Sequence, residues 1–541
     1  MSRVPDTDSN PVQFDAIIVG AGFAGLYALH RLRGLGLRTR LYEAGSDVGG
    51  TWFWNRYPGA RCDVESLDYS FSFSDEIQQQ WRWPDKYAVQ PDILAYINHV
   101  ADRFDLRRDM QFNTRIVAQA YDDGTGRWTI ATDKGEKISA QFCIMATGNL
   151  STPRVPGIKG LGQFTRKWYH SAMWPSEGAD FTGKRVALIG TGASGVQLVP
   201  KIAAQAEHLY VLQRTANFSV PAQNGPVDDA MDRDHKTNYA HRRKEALGTA
   251  FGMFGFPVPT KSALQVTPEE RQRTYEERWR QGGSINFLSA YTDLLTSEEA
   301  NETAAEFVRS KIRIIVRDPA VAEKLCPHDH PIGSKRLCLD TSYYETFNQP
   351  NVTLIDLRRD PLEEITAHGV RTRSAEHAVD SLVFATGFDA ITGSLLAIDI
   401  RGQGGKALAE KWKHGPLMYL GLMVAGFPNM FVITGPGSPS VKSNMVCSIE
   451  QHVEFITSCI RFLRERDLSR IEPDEEFERE WVAHVNEVAD RTLYPKADSW
   501  YTGANIPGKP RIFMPYVGGI PAYRKKCDEV VANGYRGFRL S

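Results

Sequence analysis

Two glycine-rich turns, each set between a short apolar run and a helix-like stretch, constrain this chain more than any other feature. Phe14 to Val19 leads into Gly20, Gly22 and Gly25 and then into a helical pattern through Leu37. Far downstream, Arg185 to Ile189 leads into Gly190, Gly192 and Gly195 and a helix-like stretch to Ala206. In such a turn the first glycine makes the bend, the second admits a pyrophosphate to the backbone, and the third lets helix pack on strand. The anion then sits at a helix N-terminus, where free N–H groups and the dipole favour negative charge. One copy says little, because glycine turns are common. Two copies, both in strand–turn–helix context, predict an α/β fold with two Rossmann-like dinucleotide-binding regions.

The residue that ends the next strand after each turn separates the two nucleotides. Glu43 ends the predicted strand Arg38 to Tyr42, where a carboxylate accepts hydrogen bonds from an adenosine ribose and repels a 2′-phosphate. Arg214 ends the strand His208 to Leu212, where a guanidinium pairs bidentately with a 2′-phosphate. FAD, or alternatively NAD, is therefore expected at the first turn and NADPH at the second. Thr191 and Ser194 within the second turn, and Thr215 beside Arg214, join that expected NADPH site. The competing reading makes Glu43 and Arg214 ordinary solvated residues at strand ends.

A length of 541 residues fits two or three domains. The 64 Lys and Arg balance 65 Asp and Glu without any run of one sign, which argues against nucleic acid, an anionic membrane or a polyionic substrate. Seven scattered cysteines with no CxxC argue against a disulfide framework, a zinc knuckle and a disulfide reductase, and read as reduced thiols in a cytoplasm. No apolar run reaches the roughly 18–20 residues of a spanning helix; Leu417 to Ile433 is interrupted by Pro428 and Asn429. Met1 to Gln13 is polar, without a secretory pattern. No obligatory protein partner is expected.

Between Asp228 and Leu325 the sequence turns charged and helix-prone, with capping-box candidates at Thr267 with Glu270 and Thr296 with Glu299. Further buried strands are expected at Phe142 to Met145, Asn351 to Ile355 and Ser381 to Phe384. The first and last of these end in the triplets Ala146-Thr147-Gly148 and Ala385-Thr386-Gly387.

The segment Gly49 to Asp63 (GGTWFWNRYPGARCD) resembles a stretch of type I Baeyer–Villiger monooxygenases. So does Phe164 through His170 to Trp174-Pro175, which matches the family pattern FxGxxxHxxxWP except at Arg166, where glycine is usual. The resemblance runs from Phe14 to Phe538. The stretch Gly435 to Ser440 (GPGSPS) looks more like phenylacetone and steroid monooxygenases than like cyclohexanone monooxygenase. The family implies an FAD domain from residues 1–150 and 389–541, an NADPH domain from 151–225 and 333–388, and a helical insertion at 226–332. It implies that NADPH reduces the flavin, O2 adds at its C4a position, and the peroxide attacks a ketone carbonyl to give an ester or lactone.

By the same resemblance Arg336 stabilises the developing anionic charge and Asp63 orients it. Lys335 helps Arg214 hold the 2′-phosphate, and Trp500 contacts the nicotinamide half. Thr51, Trp52, Asp63, Tyr69, Ile116 and Met445 fall at the flavin. Without the resemblance, Lys335-Arg336 reads as a surface pair and Trp500 as core. His170 is expected to be structural, and His328-Asp329-His330 an exposed loop and not a metal site. The rival activity is a flavin-containing N- or S-oxygenase; a non-catalytic FAD-binding redox sensor is a third reading.

Overall fold

The computed structural model describes residues 11–541. Most of the polar N-terminal stretch that lacks a secretory pattern, residues 1–10, lies outside them.

The first glycine turn comes directly after Val12–Val19, which is flanked in parallel by Thr39–Tyr42 on one side and Lys137–Met145 on the other. Ala16, Ile17 and Ile18 are fully buried. A parallel strand is covered on both faces where it runs through the sheet, so the stretch from Ala16 to Val19 is apolar without alternation, while Val12, Gln13 and Asp15 lie at its less covered start. Ile116–Asp122 and Arg127–Thr132 extend this sheet as an antiparallel pair beyond Lys137–Met145. Two late strands return to it: Met430–Val432 pairs with Lys137–Met145, and Asp399–Arg401 with Ile116–Asp122. Early and late segments therefore build one sheet, and helix Met445–Arg464 packs on the first helix, Phe23–Gly34.

The second turn belongs to a five-stranded, wholly parallel sheet in the order Val352–Asp356, His208–Gln213, Arg185–Ile189, Ser381–Phe384, Lys167–His170. Its strand order reverses beside Arg185–Ile189, as that of the first sheet does beside Val12–Val19. In open parallel sheets the ligand crevice lies at the carboxyl ends of the strands at such a point.

Both turns are built alike. Gly20 has φ +106° and Gly190 φ +113°, conformations that suit glycine. A Cβ on Gly20 would stand 2.5 Å from the Ala146 carbonyl oxygen, and one on Gly190 2.5 Å from that of Ala385. The two Ala-Thr-Gly triplets are thus the neighbours against which each turn closes.

Six helices and no strand occupy the described chain between Ser219–Pro221 and Cys338–Asp340, from Asp229–Thr237 to Pro319–Leu325. Thr267 caps Pro268–Gln281 by accepting from the Glu270 amide at 3.2 Å, while the Glu270 carboxylate turns away to Lys261. The second capping expectation is one residue out of register. Ser297, not Thr296, caps Glu298–Ile315, because the Thr296 hydroxyl bonds back to the Asp293 carbonyl. At Arg166 the backbone stays out of the left-handed region, so no glycine is needed, and the guanidinium reaches Asp380 at 3.7 Å. Among the described residues no helix is long and apolar enough to cross a membrane.

Candidate active site

One cavity of about 1020 Å³ runs between the two sheets at the carboxyl ends of their central strands. Gly20, Gly22, Glu43, Thr51, Trp52, Asp63, Tyr69, Ile116 and Met445 line it on the first side. Gly190, Thr191, Gly192, Ser194, Arg214, Thr215, Lys335, Arg336 and Trp500 line it on the second. Gly25 and Gly195, expected to bind cofactor, do not reach it. Each is pressed against the carbonyl of its own turn, Gly20 or Gly190, where a Cβ would overlap the oxygen, so their role is helix–strand packing.

The cavity fits the dinucleotides in several independent ways. Gly22 and Gly192 are the N-caps of Phe23–Gly34 and Ala193–Ala203, and neither helix has a side-chain cap, so the first-turn amides are free for phosphate oxygens. Glu43 is buried, with one carboxylate oxygen accepting from the Ala21 amide and the other from the Gly45 amide, both at 2.7 Å. A carboxylate accepts about four hydrogen bonds, which leaves capacity for a ribose. Four buried polar atoms of the lining, Arg61 Nε, Asn149 Nδ2, Ser499 Oγ and Asn505 Oδ1, have no partner within the described chain. Buried polar groups are rarely left so, and polar ligand edges would satisfy them.

Around Arg214 the positive charges converge. Lys335 lies within electrostatic reach of both Arg214 and Arg358, and Arg154 within reach of Arg214. Burial lowers the Lys335 pKa, the two arginines lower it further, and Asp329 and Asp498 oppose them. Arg358 donates to the Thr215 hydroxyl at 3.2 Å and pairs with Asp329. Arg358 and Arg154 carry no signal in the sequence, because they belong to no motif and the fold alone brings them to this end of the sheet. Asp329 also corrects the loop expectation: His328 is exposed, but the His330 ring is buried, its Nδ1 2.6 Å from Asp329. Among the described residues no cluster of His, Cys, Asp or Glu could hold a metal ion.

Arg336 is not a surface residue. Its Nε donates to Asp63 at 2.7 Å, its Nη2 bonds the other oxygen of that carboxylate, and its Nη1 donates to the Val441 carbonyl at 2.9 Å. A guanidinium has five N–H donors, so two remain. The side chain keeps 31% of its surface accessible, and that surface belongs to the cavity. Burial alone would lower the Arg336 pKa, but the charge and hydrogen bonds of Asp63 more than offset it and hold it above its ordinary value. The arrangement is a fixed cation, bidentately clamped by a carboxylate, in the wall of the cavity.

Tyr501 lies beside that guanidinium, its hydroxyl without a partner of full hydrogen-bond geometry; its place next to Trp500 is the one signal of it in the sequence. Trp500 lines the cavity while resting on Tyr501, ring centroids 4.3 Å apart. His170 is buried, accepts from the Ala172 amide at Nδ1, and lies 3.2 Å from the Arg154 carbonyl at Nε2. Burial lowers its pKa, and it does not line the cavity, in keeping with a structural part.

The flavin-binding monooxygenase-like family model matches residues 15–226. A Baeyer–Villiger monooxygenase of Pseudooceanicola batsensis is 44% identical over 98% of this chain and 97% of its own length. A phenazine N-monooxygenase of Lysobacter antibioticus is 41% identical, covering 98% of each. The solved structure of an oxidized steroid monooxygenase bound to NADP is 50% identical, with a TM-score of 0.93 over 98% of this chain and 99% of that one. Full-length likeness at this level, joined to a two-nucleotide cavity with a clamped arginine in its wall, places the chain in the Baeyer–Villiger monooxygenase family of flavin-binding monooxygenases, with FAD and NADP(H) as its cofactors.

Proposed function

We propose that this protein uses NADPH and O2 to insert an oxygen atom beside the carbonyl of a small ketone, giving an ester or lactone. Bound FAD supplies the oxygen activation and NADPH the hydride. The observation that carries the reading is the Arg336–Asp63 clamp, which holds a guanidinium in the cavity wall. Carbonyl addition puts negative charge on an oxygen, and a cation already held in place stabilises it without reorganisation. Asp63 fixes the direction of the fork. Trp52, Tyr69, Met445 and Trp500 wall this region with apolar surface, which keeps bulk water from the charged oxygen.

Arg214 and Lys335, with Arg358 behind them, are the residues we assign to the 2′-phosphate, and Glu43 to the adenosine ribose of FAD. The residue ranges 1–150 with 389–541, 151–225 with 333–388, and 226–332 remain our proposed domain division. Seven unpaired cysteines support a reducing, cytoplasmic setting.

The phenazine N-monooxygenase relative favours a second reading, oxygenation at nitrogen. Addition to nitrogen creates no carbonyl oxyanion, so the clamp has less to do there. Purified enzyme given NADPH, air and a panel of cyclic, aryl and steroid ketones beside aromatic amines and sulfides is expected to form esters from at least one ketone class. N-oxides or sulfoxides alone, by mass spectrometry, would move the assignment to the second reading.

A further inference from the structure

Beside the large cavity lies a recess of about 30 Å³ that shares Asp63, Val64, Arg336 and Ser443 with it. One water needs roughly 10–15 Å³ by this measure, so the recess has room for about two waters or one carboxylate. Phe251, Met253, Ile285, Leu288 and Leu337 make most of its wall apolar. Three charged side chains line it. Asp63 and Arg336 are already paired; the third is Lys442.

Lys442 is an unusual lysine. Its Nζ stands 3.9 Å from the Tyr494 ring centroid and 4.4 Å from that of Tyr501. Within the described chain its charge meets only the repelling Arg336, with no carboxylate to balance it. Lysines normally run their stems along the protein and put the ammonium in water, or pair it when buried. Here the ammonium is held inward by two aromatic faces. It is also close to the reaction centre in register, since the carbonyl of the preceding residue, Val441, takes the Arg336 Nη1 hydrogen bond.

We propose that Lys442 is a specificity-determining residue that receives the carboxylate of an oxo-acid substrate while the ketone carbonyl of the same molecule lies against Arg336. The recess size suits that head group, and the wall it shares with the large cavity lets the rest of the molecule continue there toward Arg336. Burial and the Arg336 charge push the Lys442 pKa well below the usual lysine value; a carboxylate in the recess reverses that penalty. The inference rests on the ketone-oxygenase reading and names its substrate class.

The test gives wild-type holoenzyme, NADPH and air a series of oxo acids of graded chain length, each beside its own methyl ester. At one length kcat/KM for the acid is expected to exceed that for the ester by roughly 10- to 100-fold, the scale of one charge-assisted contact. Lys442→Met is expected to abolish this ratio, with flavin content and melting midpoint reporting that the variant is folded. Esters used as well as acids at every length by the wild-type enzyme overturn the proposal without any variant. An acid preference that survives in Lys442→Met overturns it too. Conversion of neutral ketones without acid preference leaves the ketone reading standing and removes only this one, whereas no conversion of any ketone removes both.

Discussion

Arg336→Ala is expected to bind FAD and accept hydride from NADPH while forming ester at least about 10²- to 10³-fold more slowly, the usual effect of losing one oxyanion donor. The defect should fall on oxygen insertion, because the charge that Arg336 meets develops only after the flavin has been reduced. Removing a cation from this site also leaves the half-buried Asp63 carboxylate without its partner, which costs more than losing a neutral donor. Asp63→Ala should show a milder form, since the guanidinium keeps its charge and its bond to Val441 but loses its orientation. Rapid-mixing absorbance separates the steps: bleaching of the flavin by NADPH persists, while product by gas chromatography falls. An Arg336→Ala enzyme that makes ester at near wild-type rate would return Arg336 to a structural part.

The second large effect concerns coenzyme choice. Arg214→Ala is expected to raise KM for NADPH by roughly 10- to 100-fold, the worth of one charge-assisted contact of about 1.5–3 kcal/mol, and to leave NADH nearly unchanged. Lys335→Ala should act in the same direction. Arg358 lies in the same charge cluster, so the Arg214→Ala, Lys335→Ala double variant is expected to keep a residual NADPH preference that Arg358→Ala removes. Equal losses for both coenzymes would show that Arg214 does something other than hold the 2′-phosphate.

The parts of this molecule that are legible in the sequence are those where a local rule and the fold demand the same residue. Gly20 and Gly190 each close on a carbonyl that no Cβ can approach, so the motif and the backbone coincide. The strand segments Ala16 to Val19 and Val186 to Ile189 read as apolar runs because both faces are covered. Cap register comes out one residue early at Ser297, since Thr296 and Ser297 offer the same hydroxyl and only the Asp293 turn decides between them. The site is less legible. Asp63 and Arg336 are far apart in the chain, and nothing in either neighbourhood except family likeness joins them; their contact is made by the approach of one sheet to the other. Arg358, Tyr501 and Lys442 are silent for a related reason. Each sits in ordinary sequence and acquires its importance from what the fold places opposite it: Thr215 and Asp329 for the first, the guanidinium for the second, two tyrosine faces and an apolar recess for the third.

Oxygen insertion makes one atom of O2 the bridging oxygen of an ester, in a cavity organised by Arg336. Incubation of the purified enzyme with NADPH, a converted ketone and isotopically heavy O2, and then mass spectrometry of the product and its fragments, follows that atom. One heavy atom per ester is expected, in the bridging position, with the original carbonyl oxygen unlabelled. NADPH consumption with an unlabelled product, or with hydrogen peroxide and no ester, would contradict it.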